Sequence, residues 1–467
     1  MRPGFLPRAY GPEEVYYSLR VVEASRGAGL GNPYLAGHEA AAIYMPEMVE
    51  RGLALAARAL HVAPLNLLAL SRVFFPVAIF FVLYDLSRRL GAGRRFAVLA
   101  AACAPLALGP HGFGFLRYFR TVSPASHVLL MLLAVWLLWQ VQCRRSAAVV
   151  CLAGGAVGLL FYTPLYYWSF VLGALVLLVV SEKQRQTRIA LLATLLLGLV
   201  LGLPYLLHTM AIKDLPAVRA ALAFNLLLAP GRRPDAACVL RFAIGMFVAG
   251  SVLLWRARLG PPARFLLPFL LLGSFLPIQS LFTNRQMGSQ HWSSCLVPFC
   301  GIAAFLLLEK SRLSSEKLVL LAGLLLFSGA LLSQAVAYRQ WLASLPDNPE
   351  LWLDQRTPET IAWLNANTPP GSVVLARGDV SCALPVFTRN KVYWCLWAAQ
   401  YTLEESEALA RRAQAWSWPS APLSLSYRAD YYLGMGNRDC RLGTRSTVYE
   451  NPQEATCLYA IHGGHGK

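Results

Sequence analysis

The chain has 467 residues, of which 56% are hydrophobic and only 14% are charged. Soluble domains carry about 25% charged residues, so the composition excludes an ordinary soluble protein and indicates a membrane protein. The formal net charge is +18, but the excess is spread over short connections between apolar stretches, which is typical of membrane topology and contact with anionic lipid rather than of nucleic-acid binding.

The chain opens on a polar, aromatic-rich segment at residues 11–48. Two adjacent carboxylates, Glu13 and Glu14, lie beside two tyrosines in this segment. A carboxylate held near a bilayer surface can act as a general base or hold a divalent cation, whereas an acidic pair in a loop is also typical of a solvated surface. His38 and Tyr44 are further candidates, although an isolated histidine is more often a simple hydrogen-bonding residue.

A ladder of apolar stretches follows, several of them close to the roughly 20 residues that a membrane-spanning helix needs. We predict an α-helical polytopic membrane protein with about ten transmembrane helices over residues 65–337, preceded by an outer loop with an amphipathic helix over residues 1–64. The candidate spans lie near 65–87, 96–109, 124–143, 147–162, 164–181, 189–209, 237–255, 265–282, 293–309 and 318–337.

Basic residues are unevenly divided between alternate connections, with 15 Lys and Arg in one set and eight in the other. Because cytoplasmic connections carry the excess of Lys and Arg, the larger set predicts the cytoplasmic side of the inner membrane. The larger set is Arg88, Arg89, Arg94, Arg95, Arg144, Arg145, Lys183, Arg185, Arg188, Arg256, Arg258, Arg264, Lys310, Arg312 and Lys317. The smaller set is Arg117, Arg120, Lys213, Arg219, Arg232, Arg233, Arg241 and Arg285.

This charge pattern predicts that the opening segment and the C-terminal tail both face outward. An outward-facing start has no span or signal sequence ahead of it here, since the first ten residues, MRPGFLPRAY, contain no apolar core. Either the N-terminus translocates with the first span or a preceding helix is missing from this chain, and we expect the second.

Two of the outward connections carry groups suited to phosphate. Arg117 and Arg120 are three residues apart, which places them on the same side of a helical turn. A later connection carries Asn284, Arg285 and His291. Arginine forks match phosphate oxygens, and contact with lipid headgroups is the alternative interpretation of these side chains.

The tail beyond residue 337 is neutral, with 12 basic and 12 acidic residues, and we predict a small extracytoplasmic α/β domain over 338–467. Within 348–366, Thr357 as N-cap and Pro358 at the first helical position predict a helix start. Further elements are predicted as a strand at 372–376, a strand region at 386–395, a helix at 402–416, and strands at 426–435, 447–451 and 455–461.

Four of the ten cysteines lie in this tail: Cys382, Cys395, Cys440 and Cys457. An even number of cysteines outside the membrane permits disulfides, with three possible connectivities. The equally weighted alternative is that all four are small buried residues that stay reduced. Their spacing fits no zinc site. The sequence identifies no cofactor with certainty, and a divalent cation held by the Glu13–Glu14 pair is left open.

The sequence contains neither a GxxxxGK[ST] phosphate loop nor a GxGxxG turn. No connection on the predicted cytoplasmic side is long enough to form a nucleotide-sugar-binding domain. Any sugar donor used by the outer loops must therefore arrive attached to a membrane lipid. A lipid phosphate would suit the outward arginines.

Taken together, the pattern resembles the polytopic, lipid-donor glycosyltransferases of the GT-C class, especially bacterial members akin to the dolichyl-phosphate-mannose–protein mannosyltransferases. The resemblance lies in EEVYYS at the start, the GNPY…H…P stretch, the NRQMGSQHW connection and the outer α/β tail. It implies that Glu13 or Glu14 takes the proton from an acceptor hydroxyl, which attacks the sugar C1 with inversion. Members of the class more often carry aspartate at this position. The residues that would stabilise the departing polyprenyl phosphate are Arg117, Arg120, Arg285 or His291.

Two other functions fit parts of the pattern. One is a non-catalytic or polymerase-like protein of polysaccharide assembly. The other is a transporter or lipid flippase, which predicts internal repeats with interrupted spans at matching positions, and no such symmetry is visible. Neither the sugar nor the acceptor, whether lipid, glycan or protein, can be identified from the sequence.

Overall fold

The computed structural model divides into two compact units, each formed from separated parts of the chain. The α/β unit takes residues 1–69, 211–225 and 343–467, and the helical bundle takes residues 70–210 and 226–342. The described residues are 12–38, 46–106, 121–224, 236–283, 289–311, 357–376, 380–395, 405–417, 427–435 and 447–461, with short pieces at 41, 229–230, 234, 285–286, 320–325, 327–329, 331–332, 335–336, 339, 398 and 440.

Helices dominate both units. In chain order the longer helices are α1 (Pro12–Ser25), α2 (Met48–Ala59), α3 (Pro64–Arg89), α4 (Arg94–Leu106), α5 (His127–Arg144), α6 (Ala147–Leu160), α7 (Leu165–Ser181), α8 (Arg185–Ile212), α9 (Pro216–Phe224), α10 (Ala236–Leu254), α11 (Pro261–Phe275), α12 (Ser289–Lys310), α13 (Pro358–Asn367), α14 (Val380–Phe387) and α15 (Glu405–Ser417). The strands are β1 (Ala229–Pro230), β2 (Arg285–Gln286), β3 (Val373–Ala376), β4 (Lys391–Val392), β5 (Tyr431–Met435), β6 (Thr447–Asn451) and β7 (Thr456–Ala460).

The bundle consists of apolar helices, and each predicted span from 65–87 to 293–309 overlaps one of them. Within the described residues, four helical stretches are long and apolar enough to cross a membrane: Pro64–Arg89, Val122–Arg144, Arg185–Ile212 and Pro261–Ile278. Shorter apolar helices include α6, α7 and most of α10. The expected polytopic architecture is therefore confirmed, and the protein is a multi-pass membrane protein.

Consecutive helices run in opposite directions where the connection between them is short. Two residues join α5 to α6, and three join α7 to α8. Near the end of α12, the Glu309 carboxylate accepts the backbone N–H of Gly93, just before α4, at 2.8 Å. Helix α12 therefore ends where α4 begins. We call the end at which α5, α7, α10 and α12 begin the polar end, and the opposite end the basic end, since the described cations of the larger set lie there.

The bundle core is aromatic and tightly packed. Phe269 lies 5.8 Å from Phe170 and 5.0 Å from Phe299 between ring centroids, which joins α7, α11 and α12. Helices α6 and α8 approach through glycines: a Cβ added at Gly158 would lie 2.5 Å from the Cβ of Leu201. Small residues at such contacts let helix backbones approach closely, which is how helices associate in lipid.

The α/β unit is built around a five-stranded sheet with the order β4-β3-β5-β7-β6. Strand β3 is parallel to β4 and β5, whereas β7 is antiparallel to β5 and β6. The predicted small α/β tail is therefore confirmed. Helix α13 begins at Pro358 as predicted, but its first backbone N–H groups are capped by Glu454 of the β6–β7 turn, whose carboxylate accepts from Glu359 and Thr360 at 2.8 and 3.0 Å.

Two local predictions differ from the structure. The sequence predicts a loop for the segment at 11–48, whereas Pro12–Ser25 forms helix α1. The strand region at 386–395 contains only the two-residue strand β4, because Val386 and Phe387 end helix α14. Helix α14 buries Val380 and Leu384 and packs against α1, and a short apolar run does not by itself distinguish a buried helix from a strand.

One disulfide forms among the cysteines of the tail. Cys440 is bonded to Cys457, with their Cα atoms 5.5 Å apart. Cys382 and Cys395 are buried and do not take part in this disulfide. Of the pairings left open by the sequence, the structure therefore contains the bridge that ties the chain before β6 to strand β7.

Candidate active site

Helix α1 carries the two candidate carboxylates. The backbone of Glu13 and Glu14 lies in its first turn. One turn later Tyr16 is buried, with its ring centroid 5.8 Å from the guanidinium carbon of Arg20. Almost every following position of the helix is buried as well. Helix α1 is thus an integral part of the α/β unit, and the backbone of Glu13 and Glu14 lies at the start of a largely buried helix.

Arg20 fixes α1 against the segment that leads into α2. Its side chain is fully buried, its Nε atom lies 2.7 Å from Oε1 of Glu50, and its Nη2 donates to the carbonyl of Pro46 at 2.8 Å. Burial raises the pKa of Glu50 above its usual value, and the Arg20 charge opposes that rise. The cost of removing the carboxylate from water therefore exceeds the attraction of its partner, as is common for buried ion pairs.

The structure places His38 against the C-terminal part of the α/β unit. Its Nε2 lies 3.6 Å from Oε1 of Glu407 on α15, and the same carboxylate oxygen lies 3.0 Å from Nη2 of Arg411. Within the described residues no group of three or more His, Cys, Asp or Glu side chains is placed to hold a metal ion. The role of His38 as a base or ligand stays a prediction.

The remaining candidates lie in or beside the bundle and are described only in part. Arg117, Arg120, Tyr44 and Asn284 fall outside the described residues. The backbone of Arg285 lies in β2, where it pairs with Pro230 of β1, and the backbone of His291 lies in the first turn of α12. The β1–β2 pair thus joins two of the connections that the charge pattern assigns to the same side.

Buried aromatic and titratable side chains meet at the polar end of the bundle. The ring centroids of His127 on α5 and Tyr167 on α7 are 5.6 Å apart. Those of Tyr166 and Trp292 on α12 are 6.2 Å apart, and the Cys295 thiol donates to the Tyr166 carbonyl at 3.6 Å. The first turns of three helices therefore converge immediately beside His291.

Arg241 of α10 belongs to the same end. A Cβ added at Gly245 would lie 2.1 Å from Oγ of Ser274 and 3.1 Å from a methyl group of Leu296, so α10 and α12 are in close contact there. Arg241 lies one turn before Gly245, and Trp292 one turn before Leu296, both toward the polar end. The Arg241 side chain is buried, at 7% exposure.

Three buried titratable residues of the bundle were not selected as candidates from the sequence: Arg72, His127 and Arg241. Arg72, in the first half of α3, is 5% exposed, and His127 is 4% exposed. Both lie inside predicted spans, and Arg241 was counted only for its charge. A titratable residue within an apolar span is by default a functional hypothesis. That signal alone would have selected all three.

Among the solved structures that resemble this chain are two of a bacterial protein and one of an archaeal protein. ArnT from Cupriavidus metallidurans in the apo state aligns with a TM-score of 0.57 and 13% identity, over 97% of this chain and 93% of that chain. ArnT bound to undecaprenyl phosphate aligns with a TM-score of 0.57 and 14% identity, over 96% and 93%. Both ArnT and the archaeal protein described next are GT-C glycosyltransferases. The protein has the GT-C fold.

The archaeal structure extends the likeness to a larger GT-C enzyme. The Archaeoglobus fulgidus oligosaccharyltransferase, tethered to an acceptor peptide containing the NVT sequon, aligns with a TM-score of 0.55 and 12% identity, over 91% of this chain and 65% of that chain. No protein-family model matches the chain, and no curated protein matches it by sequence. The GT-C architecture expected from the sequence is thus confirmed at the level of the fold, whereas the roles of individual residues stay predictions.

Proposed function

We propose that this protein is a membrane glycosyltransferase that transfers a sugar from a polyprenyl-phosphate donor to an acceptor hydroxyl, with inversion at C1. The observation that carries the proposal is the GT-C fold, shared over more than 90% of both chains with an ArnT structure bound to undecaprenyl phosphate. A likeness that spans nearly the whole length includes both the bundle and the α/β unit.

The polar end of the bundle is the proposed donor-phosphate site. Buried cations in a membrane protein are costly and generally serve a function, and Arg72 and Arg241 contribute two of them. An arginine guanidinium stabilises the charge that develops on a departing phosphate. Beside these two, the proposed phosphate ligands are Arg117, Arg120, Arg285 and His291.

Glu13 or Glu14 is the proposed general base. The carboxylate accepts the proton of the acceptor hydroxyl while the hydroxyl oxygen forms a bond to the sugar C1. The bond from C1 to the phosphate oxygen breaks, and polyprenyl phosphate leaves with the electron pair. His38, Tyr44 and Asn284 are secondary candidates for contacts with the sugar or the acceptor. The resemblance to GT-C enzymes and the position of α1 support this assignment.

The decisive experiment measures sugar transfer by the purified protein with a panel of polyprenyl-phosphate sugars. Glu13→Gln and Glu14→Gln are tested singly and together, and Glu450→Gln on the exposed side of β6 is the control. We expect the double variant to lose transfer by two or more orders of magnitude, the usual contribution of a general base, and the control to retain it. Full transfer by the double variant would remove both carboxylates from the mechanism.

The proposed location is the inner membrane, with the α/β unit on the extracytoplasmic side. Two cysteines test this orientation in intact cells with a membrane-impermeant maleimide. Gln453→Cys lies exposed in the β6–β7 turn, and the natural Cys143 is exposed at the basic end. Labelling of the introduced cysteine without labelling of Cys143 is expected. The reverse result would invert the topology.

A further inference from the structure

The last turn of α1 is fastened to the sheet of the α/β unit by a buried ion pair. Nζ of Lys391, at the start of β4, lies 3.0 Å from Oε2 of Glu23 and donates to the carbonyl of Pro33 at 2.9 Å. The two side chains are only 9% and 7% exposed. The partners are 368 residues apart in sequence, so this contact joins the opening segment to the C-terminal domain.

Backbone contacts surround the ion pair and give it a defined register. The N–H of Val392 donates to the carbonyl of Tyr34 at 2.9 Å, so the opening segment hydrogen-bonds strand β4 immediately beside Lys391. The Asn32 side-chain amide donates to the carbonyl of Ala398 at 3.0 Å. Helix α14, which precedes β4, packs against α1. Lys391 therefore lies at the centre of the junction rather than at its edge.

A buried ion pair adds little net stability compared with an apolar pair, and its best-attested use is to specify one arrangement. Glu23 also accepts from Nη1 of Arg26 at 2.7 Å. Arg26 is 38% exposed, directly follows the last residue of α1, and donates from its Nη2 to the carbonyl of Thr388 at 3.3 Å. It is a longer and more exposed second contact beside the buried Lys391–Glu23 pair. Removal of Lys391 would leave Glu23 with Arg26 as a cation but would remove the buried contact that joins the last turn of α1 to the start of β4.

We propose that Lys391 is a positioning residue for the proposed glycosyl transfer, because it holds the helix whose first turn carries Glu13 and Glu14. The inference rests on the proposed function for its catalytic consequence. A helix rises about 1.5 Å per residue, so the backbone of Glu13 lies about 15 Å along the axis of α1 from that of Glu23. A small tilt at Glu23 displaces the carboxylates, and a misplacement of about 1 Å can cost on the order of 100-fold in rate.

The test compares three variants of the full-length protein. Lys391→Met removes the charge and keeps a long side chain, whereas Lys391→Arg keeps the charge. Arg428→Met is the matched control, since it breaks an ion pair with Asp430 in the same unit at a side chain that is 69% exposed. For each, kcat and KM are measured with a polyprenyl-phosphate sugar, and backbone amide exchange of α1 is followed by mass spectrometry.

We expect Lys391→Met to lower kcat at least about tenfold, as misplacement of a base predicts, with KM for the donor changed less than about twofold because the proposed phosphate ligands lie in the bundle. Exchange in α1 should rise, and Lys391→Arg should restore most of the rate. Arg428→Met should match the wild type in every measurement.

Separate outcomes test the two proposals. Absence of transfer by the wild-type protein with every polyprenyl-phosphate sugar contradicts the proposed function, and the exchange data then still decide the anchoring of α1. Unchanged α1 exchange in Lys391→Met overturns the inference. A loss of kcat that is fully accounted for by a loss of folded protein also overturns the inference. The folded fraction is measured by the accessibility of the buried Cys382 thiol.

Discussion

The α/β unit and the helical bundle bury different kinds of side-chain interaction. The α/β unit encloses the ion pairs Arg20–Glu50 and Lys391–Glu23 together with a disulfide. In the bundle, helices pack through phenylalanine rings and at glycines, and the described buried cations lie toward one end. In water, burial of apolar surface is the main driving force of folding, and it can offset the cost of burying a polar pair. Between helices in lipid that force is absent, so close packing must provide the cohesion.

The outer surfaces of the two units differ for the same reason. Only 28% of the apolar window of α3, and 28% of that of α8, is buried, against 78% for Val122–Arg144. Large apolar side chains such as Phe81 on α3 and Val200 on α8 are therefore exposed on the bundle. Such a surface suits hydrocarbon, whereas the exposed residues of α2 and α15 include arginines. If this comparison is correct, perturbations of one unit should leave the other intact.

The largest effect is expected from Arg20→Met, which leaves Glu50 buried without its partner. Removal of one partner of a buried pair costs about 3–5 kcal/mol. The measurement is labelling of native thiols on heating, with Cys382 as reporter of the α/β unit and Cys295 as reporter of the bundle. Both thiols are buried. Cys382 should react at lower temperature and Cys295 at its wild-type temperature, whereas equal shifts would contradict the division into two units.

Reduction of the Cys440–Cys457 bridge is expected to have the next largest effect. The bonded residues are 17 apart, and closing a loop of about 15 residues stabilises a fold by about 3 kcal/mol. Cys457→Ser, or the wild type with a reductant, should lower the temperature at which Cys382 is labelled. The Cys457→Ser variant should not respond further to the reductant. A wild type that is insensitive to reductant would indicate that the bridge adds no stability.

A smaller effect is expected in the bundle from Gly158→Ala. The new methyl would lie 2.5 Å from the Cβ of Leu201 and 3.3 Å from the carbonyl oxygen of Gly198, and overpacking of this kind costs about 1–3 kcal/mol. The matched control is Gly155→Ala on the same helix, where nothing lies within 4 Å and alanine favours the helix by up to about 1 kcal/mol. Cys295 should be labelled earlier in the first variant only. Identical behaviour of the two variants would exclude close α6–α8 packing.

The smallest expected effect is a shifted titration in the α/β unit. Burial raises the pKa of Tyr393 to about 12, although Arg411 opposes the rise. An unfolded tyrosine ionises near pH 10, so the unfolded state releases its proton first and the stability of the unit should fall as the pH rises from about 10 to about 12. The difference in phenolate absorbance between wild type and Tyr393→Phe should therefore have its midpoint near pH 12. A midpoint near 10 would show that the side chain is solvated.

Local signals predicted much of the architecture. Apolar length located helices α3 to α8 and α10 to α12, and the Thr357-Pro358 pair located the start of α13. The cap of that helix was not predictable, because Glu454 lies almost a hundred residues away. The end of helix α14, Val386 and Phe387, was assigned to a strand because the run is short and apolar, and burial rather than periodicity distinguishes a short helix from a strand there. Arg72, His127 and Arg241 were recognisable in principle as titratable residues inside apolar spans.

Sequence by itself determined that this is a multi-pass membrane protein with a small α/β tail, since span length, charge distribution and strand patterning are properties of contiguous residues. Only the tertiary structure decided that the opening segment and the tail form one unit, and that the first turns of α5, α7, α10 and α12 share one end of the bundle. Contacts such as Lys391–Glu23 join residues at opposite ends of the chain. They depend on packing in three dimensions, which no local pattern encodes.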